Sequence, residues 1–182
     1  PKTAIHGDTL SCGYSFADND GHGDQSSYEW LVNNVSVKTG GNLSTGFYYG
    51  DTVACEVTPY DGYDYGDPIS NSMTIGNSAP SAPSSVTISP AAPEIGDPLT
   101  CDYQPATDAD PSQTLTYSFV WYEATTGVGA SYTDSQLPGG VTLYGQKWQC
   151  RVTASDGIAF GPTANSSWVS IVDTNAPDAP TF

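Results

Sequence analysis

The chain repeats itself once, and that repeat limits what it can fold into more than any other feature. Gly7-Asp8-Thr9-Leu10-Ser11-Cys12 returns as Gly96-Asp97-Pro98-Leu99-Thr100-Cys101, and Tyr28-Glu29-Trp30 returns as Phe119-Val120-Trp121. Cys55-Glu56-Val57-Thr58-Pro59-Tyr60-Asp61-Gly62 returns as Cys150-Arg151-Val152-Thr153-Ala154-Ser155-Asp156-Gly157, and Met73-Thr74-Ile75 returns as Val169-Ser170-Ile171. The offset widens from 89 residues at the first cysteine of each copy to 95 at the second, as short loop insertions in the second copy would produce. Matches in one order over nearly the whole chain define two structural units, each large enough to hold its own core. The predicted division is a first domain over 1–78, a Pro-rich linker over 79–83 and a second domain over 84–182.

The copies differ at their starts. The second opens with Ser85-Val86-Thr87-Ile88-Ser89, and the first has no counterpart to that segment. The first domain is therefore expected to lack its own first strand. The edge left behind would accept one from flanking repeats or neighbouring subunits by strand addition. At the other end, Asn175-Ala176-Pro177 echoes the stretch Asn77-Ser78-Ala79-Pro80, and Thr181-Phe182 matches the start of a further first strand. A longer tandem array is the expected parent.

Within each copy, apolar residues alternate over short runs bounded by Gly, Pro, Asn and Asp. Leu10, Cys12, Tyr14 and Phe16 form one such set, followed by Tyr28, Trp30 and Val32, then Val53, Cys55 and Val57. The second copy gives Leu99, Cys101 and Tyr103, then Tyr117, Phe119 and Trp121, then Trp148, Cys150 and Val152. A period of two means strands with one face buried and one wet. No window carries a helical period, so the fold class is all-β.

Each copy also places a Trp between two Cys. This arrangement resembles the immunoglobulin pattern, in which two facing sheets are bridged and a Trp on a third strand packs on the bridge. The resemblance implies two tandem immunoglobulin-like β-sandwich domains, each with one intradomain disulfide, Cys12 with Cys55 and Cys101 with Cys150. One departure is plain: the Tyr usual two residues before the second Cys is Val53 in one copy and Trp148 in the other, so the tyrosine corner is missing. The Gly-Asp-x-Leu-x-Cys start, the Cys-x-Val-Thr-x-x-Asp-Gly strand end and the Asn-x-Ala-Pro linker are similar to tandem bacterial surface repeats of the Ig-like, PKD-like and cadherin-like kind. That likeness implies a structural or adhesive part of a larger surface protein or filament. The implied disulfides place the chain in an oxidising, extracellular setting.

Charge narrows the partners. The 182 residues include 20 acidic and 4 basic ones, for a formal net charge of −16. Such a surface repels phosphate backbones and anionic bilayers, so neither nucleic acid nor membrane insertion is expected. No run approaches the roughly 20 apolar residues that span a bilayer.

Two clusters remain as candidate sites. Asp18, Asp20 and Asp24 lie in a Gly-containing loop between the second and third predicted strands, and the sandwich topology brings Asp61 to the same pole. Asp108, Asp110 and Asp156 form the corresponding set in the second copy. Oxygen-rich flexible loops suit Ca²⁺, the one cofactor expected. Tyr60, Tyr63 and Tyr65 are the candidate contact surface for glycans or surface proteins, because exposed rings stack on sugars or bury against a partner. Catalysis is not expected: the implied bridges occupy all the Cys, and His6 and His22 have no evident nucleophile and orienting partner.

Overall fold

In the computed structural model, residues 3–127 and 132–174 are described. The continuation predicted from Asn175 to Phe182 lies outside them. The chain divides into two compact units. Unit 1 holds 1–78 together with 109–112, and unit 2 holds 79–108 and 113–182. Each is an immunoglobulin-like β-sandwich closed by its own disulfide.

Unit 1 contributes four strands: β1 (Ser27–Val32), β2 (Val35–Thr39), β3 (Thr52–Thr58) and β4 (Ile69–Thr74). They form one antiparallel sheet in the order β2-β1-β3-β4. β1 and β2 are joined by Asn33-Asn34, both with positive φ, the conformation that the tightest hairpin turn requires and that Asn tolerates. The facing layer is an extended segment through Leu10, Cys12, Tyr14 and Phe16. Leu10 exchanges both backbone hydrogen bonds with Leu43. Trp30, Val53, Cys55 and Val57 point inward from the sheet and pack with Leu10, Leu43, Phe47 and Ile75. Ala4 joins this core, and Ile5 bridges Gly76 in parallel.

Unit 2 contributes β5 (Ser85–Ser89), β6 (Leu99–Gln104), β7 (Thr116–Glu123), β8 (Gln136–Leu137), β9 (Lys147–Ser155), β10 (Ala164–Asn165) and β11 (Val169–Ser170). One sheet is β5-β6-β8. In the other, β9 pairs with β7 and with both β10 and β11. The nine residues of β9 alternate strictly, with Trp148, Cys150, Val152 and Ala154 buried. Trp148, the residue in the tyrosine-corner position, is thus a core residue, and its Nε1 donates to Gln146.

The bridges are as the immunoglobulin resemblance implied. Cys12 is bonded to Cys55 with Cα atoms 6.1 Å apart, and Cys101 to Cys150 at 6.0 Å. The Trp positions repeat as well. Trp30 lies directly opposite Cys55 in the β1–β3 ladder, and Trp121 directly opposite Cys150 in the β7–β9 ladder. Each indole N–H donates to a backbone carbonyl, Gly41 at 3.0 Å and Asp134 at 2.9 Å, so neither buried ring strands its polar atom.

The boundary falls after Ser78, and the segment 79–83 read as a linker packs within unit 2. Pro80 is fully buried, and the Ser81 N–H donates to the Thr107 carbonyl. A Cβ at Gly161 would stand 2.6 Å from the Pro80 carbonyl oxygen, so only glycine fits there.

One buried carboxylate anchors a turn of unit 2. Glu123 closes β7, and its oxygens accept from the N–H and hydroxyl of both Thr125 and Thr126. These bonds, the Thr125 hydroxyl foremost, hold its pKa down to about 2 against the opposing pull of burial. The folded value lies below the unfolded one of about 4.3, so the carboxylate adds stability above that pH. The increment is lost as pH falls from there to about 2. Glu123→Gln is expected to destabilise unit 2 at neutral pH and to flatten the pH dependence of its urea midpoint below about pH 4.5. An unchanged acid limb would show that the ionised form is not engaged.

Candidate functional site

The pole of unit 1 is built from two loops. One runs from Phe16 to the start of β1, and the other joins β3 to β4. Both turn on aspartates that accept from backbone N–H groups just downstream, the local chemistry that makes Asp a turn residue. Asp18 Oδ1 accepts from Asp20 N at 2.6 Å and from His22 N at 3.3 Å. Asp61 Oδ1 accepts from Tyr63 N and Asp64 N, each at 2.7 Å. These two bonds, the one from Asp64 first, hold the Asp61 carboxyl below the ordinary range.

Across the pole, His22 Nδ1 lies 3.3 Å from Asp61 Oδ2. Asp18, His22 and Asp61 can each present a donor atom within 4.8 Å of the other two. Among the described residues this is the one such group of three or more His, Cys, Asp or Glu side chains. The structure thus brings together Asp18 and Asp61 of the nominated carboxylates and leaves Asp20 and Asp24 outside. Asp24 instead accepts from Ser26 N at 2.9 Å, and hydrogen bonds from Ser26 lower its pKa. The third member is an imidazole that sequence reasoning did not nominate. Its signal was present: His22 follows Asp18 by one loop turn through Gly21, whose φ is +79°.

The tyrosines share this pole. Tyr63 is 75% exposed and Tyr65 is 71% exposed. Tyr65 stacks on Tyr60 with ring centroids 4.4 Å apart, and Tyr63 tilts against His22 at 4.6 Å. A shallow cleft of about 240 Å³ runs between the loops, lined by Phe16, Asp18, Tyr60, Asp61, Asp64 and Tyr65. The pole therefore presents flat aromatic faces beside anionic oxygens.

The three carboxylates nominated in the second copy are placed differently. Asp156 Oδ1 accepts from Ile158 N at 2.7 Å and Ala159 N at 2.6 Å, fixing the turn after β9. Asp110 belongs to unit 1 and is fully buried there. It accepts from Tyr49 N at 2.9 Å and from Ser78 N at 2.8 Å. Asp108 lies in unit 2.

No protein family and no curated protein matches the chain. Among solved structures it is similar to a segment of two fibronectin type III domains from chicken tenascin. The identity is 11%, the match covers 82% of this chain and 85% of that one, and the TM-score is 0.42. It is also similar to the FN1-FN3 domains of chicken CNTN1, at 11% identity and a TM-score of 0.38, over 86% of this chain and 60% of that one. Among the described residues no helix is long and apolar enough to cross a membrane.

Proposed function

We propose that the chain is a structural and adhesive module of a larger extracellular surface protein or filament, in which the two sandwiches act as consecutive spacers. The observation that carries this reading is the pair of bridges, one per unit, each tying the facing layers of a sandwich at its core. Such a bridge limits how far a unit can be drawn out, which is what a load path needs. It also requires the oxidising conditions found outside the cytosol. A strongly acidic surface keeps closely spaced copies soluble.

Single-molecule stretching tests the reading. The oxidised protein is expected to extend in discrete steps, one for each unit. Reductant should add the bridged segments of 43 and 49 residues, about 150 Å and about 170 Å at ~3.5 Å per residue. A trace with no discrete step at any load would overturn the spacer role.

A second reading is favoured by the exposure of Tyr63 and Tyr65: the unit 1 pole as a contact surface for glycans or proteins. Glycan-array binding that disappears in Tyr63→Ala/Tyr65→Ala, with the melting midpoint kept, would support it. Calcium stiffening, expected from the acidic loops, would rest at this pole on Asp18 and Asp61. Two carboxylates and an imidazole are a sparse set for an ion that takes 6–8 oxygens. A midpoint unmoved by millimolar Ca²⁺ would remove that role.

A further inference from the structure

One sheet face of unit 2 departs from the charge of the rest of the chain. Along β9, Trp148, Cys150, Val152 and Ala154 are buried, which puts Lys147, Gln149, Arg151 and Thr153 on the outer face. Along β7, Tyr117, Phe119 and Trp121 pack in the core, which leaves Ser118, Val120 and Tyr122 outside. Ala164 of β10 and Val169 of β11 pack against the core, so Asn165 and Trp168 lie on the outer face with them. None of these outer residues is acidic, in a chain with 20 acidic residues and 4 basic ones. Both basic residues of unit 2, Lys147 and Arg151, stand among them. Among the described residues neither forms an ion pair.

The internal copy serves as a control. The two ladders align through their tryptophans, Trp30 opposite Cys55 and Trp121 opposite Cys150. At the positions of Val120 and Arg151, unit 1 has Glu29 and Glu56. At those of Tyr122 and Gln149 it has Leu31 and Ala54. Met73 pairs with Val53 as Val169 does with Trp148, which sets Ser72 at the position of Trp168. Unit 1 builds the same ladders without an Arg, a Tyr or a Trp on this face, so the sandwich does not require them.

Arg151 is also held in place. Its guanidinium carbon lies 3.6 Å from the centroid of the Tyr122 ring, and its Nε donates to Gln149 Oε1 at 3.1 Å. Gln149 Nε2 donates in turn to the Ser166 carbonyl at 3.0 Å. The terminal N–H groups of Arg151 have no partner among the described residues. Arg151 lines an open pocket of about 250 Å³ with Val120, Tyr122, Thr153, Thr163 and Asn165.

We propose that this face binds an acidic glycan, with a sugar carboxylate taken by the terminal N–H groups of Arg151. A planar guanidinium meets a carboxylate through two parallel hydrogen bonds. The Asn165 amide and the Thr153 and Thr163 hydroxyls, which bond to each other at 2.7 Å, match sugar hydroxyls. Trp168, 45% exposed, offers a ring face on which a sugar stacks. The pocket is smaller than the ~300 Å³ at which sites for drug-sized ligands begin, and suits a single ring. The net charge of −16 does not oppose this locally, because charges more than about 8 Å away are largely screened at physiological salt. This site is separate from the unit 1 pole and independent of the spacer role.

The test titrates oligogalacturonate into the whole oxidised protein and follows the Trp168 indole and Thr153 backbone N–H signals by NMR. Both are expected to shift and to saturate at millimolar probe. Arg151→Glu, a residue type that unit 1 carries at this position, is expected to keep the melting midpoint and to weaken binding at least about tenfold. Arg151→Gln, which adds no repulsion, and Trp168→Ser should weaken it as well. Unmoved signals overturn the proposal, as does undiminished binding to Arg151→Gln. Equal binding of a neutral galactose oligomer overturns the role of the carboxylate. Equal binding of polyglutamate makes an acidic protein segment the ligand and overturns the glycan. Binding kept in Arg151→Glu but lost in Tyr63→Ala/Tyr65→Ala belongs to the unit 1 pole, and overturns this site while leaving that reading in place.

Discussion

Replacing Cys101 and Cys150 together with Ala is expected to cost unit 2 about 4 kcal/mol. The bridge closes a 49-residue segment, and without it the unfolded chain regains the freedom that closure removed. Domains of this size hold only about 5–15 kcal/mol in total, so the unit should become marginal. Cys12→Ala/Cys55→Ala closes a similar 43-residue segment, and the same loss of about 4 kcal/mol is expected. The consequence should be worse in unit 1. Its first cysteine is only partly buried. Urea titration of each double variant against the parent measures both effects. A shift in unit 2 under about 1 kcal/mol would mean that packing alone holds the sheets together.

Trp121→Ala should be the most damaging single substitution in unit 2, at about 3–5 kcal/mol. The ring is fully buried, lies opposite Cys150 in the ladder and is packed with Leu99, Leu137 and Val152. Removing it forfeits the transfer energy of the ring and leaves a cavity that the bridged sheets cannot collapse to fill. Trp121→Phe separates two contributions. It keeps most of the ring and leaves the Asp134 carbonyl without its indole donor, for an expected loss of about 1–3 kcal/mol. Equilibrium unfolding of both variants should rank them in that order. Equal losses would show that the hydrogen bond, and not the volume, is what the site requires.

Much of the sandwich was legible because its signals are local or repeated. Val53, Cys55 and Val57 alternate with half-buried partners as a period of two demands, and Trp148, Cys150 and Val152 do the same. Position within a loop was not legible. Asp110 sits in an acidic turn that reads as a partner for Asp156, yet it is buried in unit 1 under two backbone N–H donors. Asp, Gly and Ser spell a turn in the same letters whether its carboxylate meets an ion, a solvent shell or a backbone amide. The segment 79–83 read as a tether for its prolines, whereas the burial of Pro80 and the Ser81–Thr107 bond depend on residues some 25 positions away.

The sequence by itself determined two β-units, each with one cysteine pair and a core tryptophan between its two cysteines, because strand period, turn chemistry and an internal copy all act over short spans and agree with one another. Only the tertiary structure decided that His22 joins Asp18 and Asp61, and that Asp110 is spent on backbone amides. Each of those outcomes depends on the relative placement of loops and strands that meet only after the sheets have packed, and no local rule encodes it.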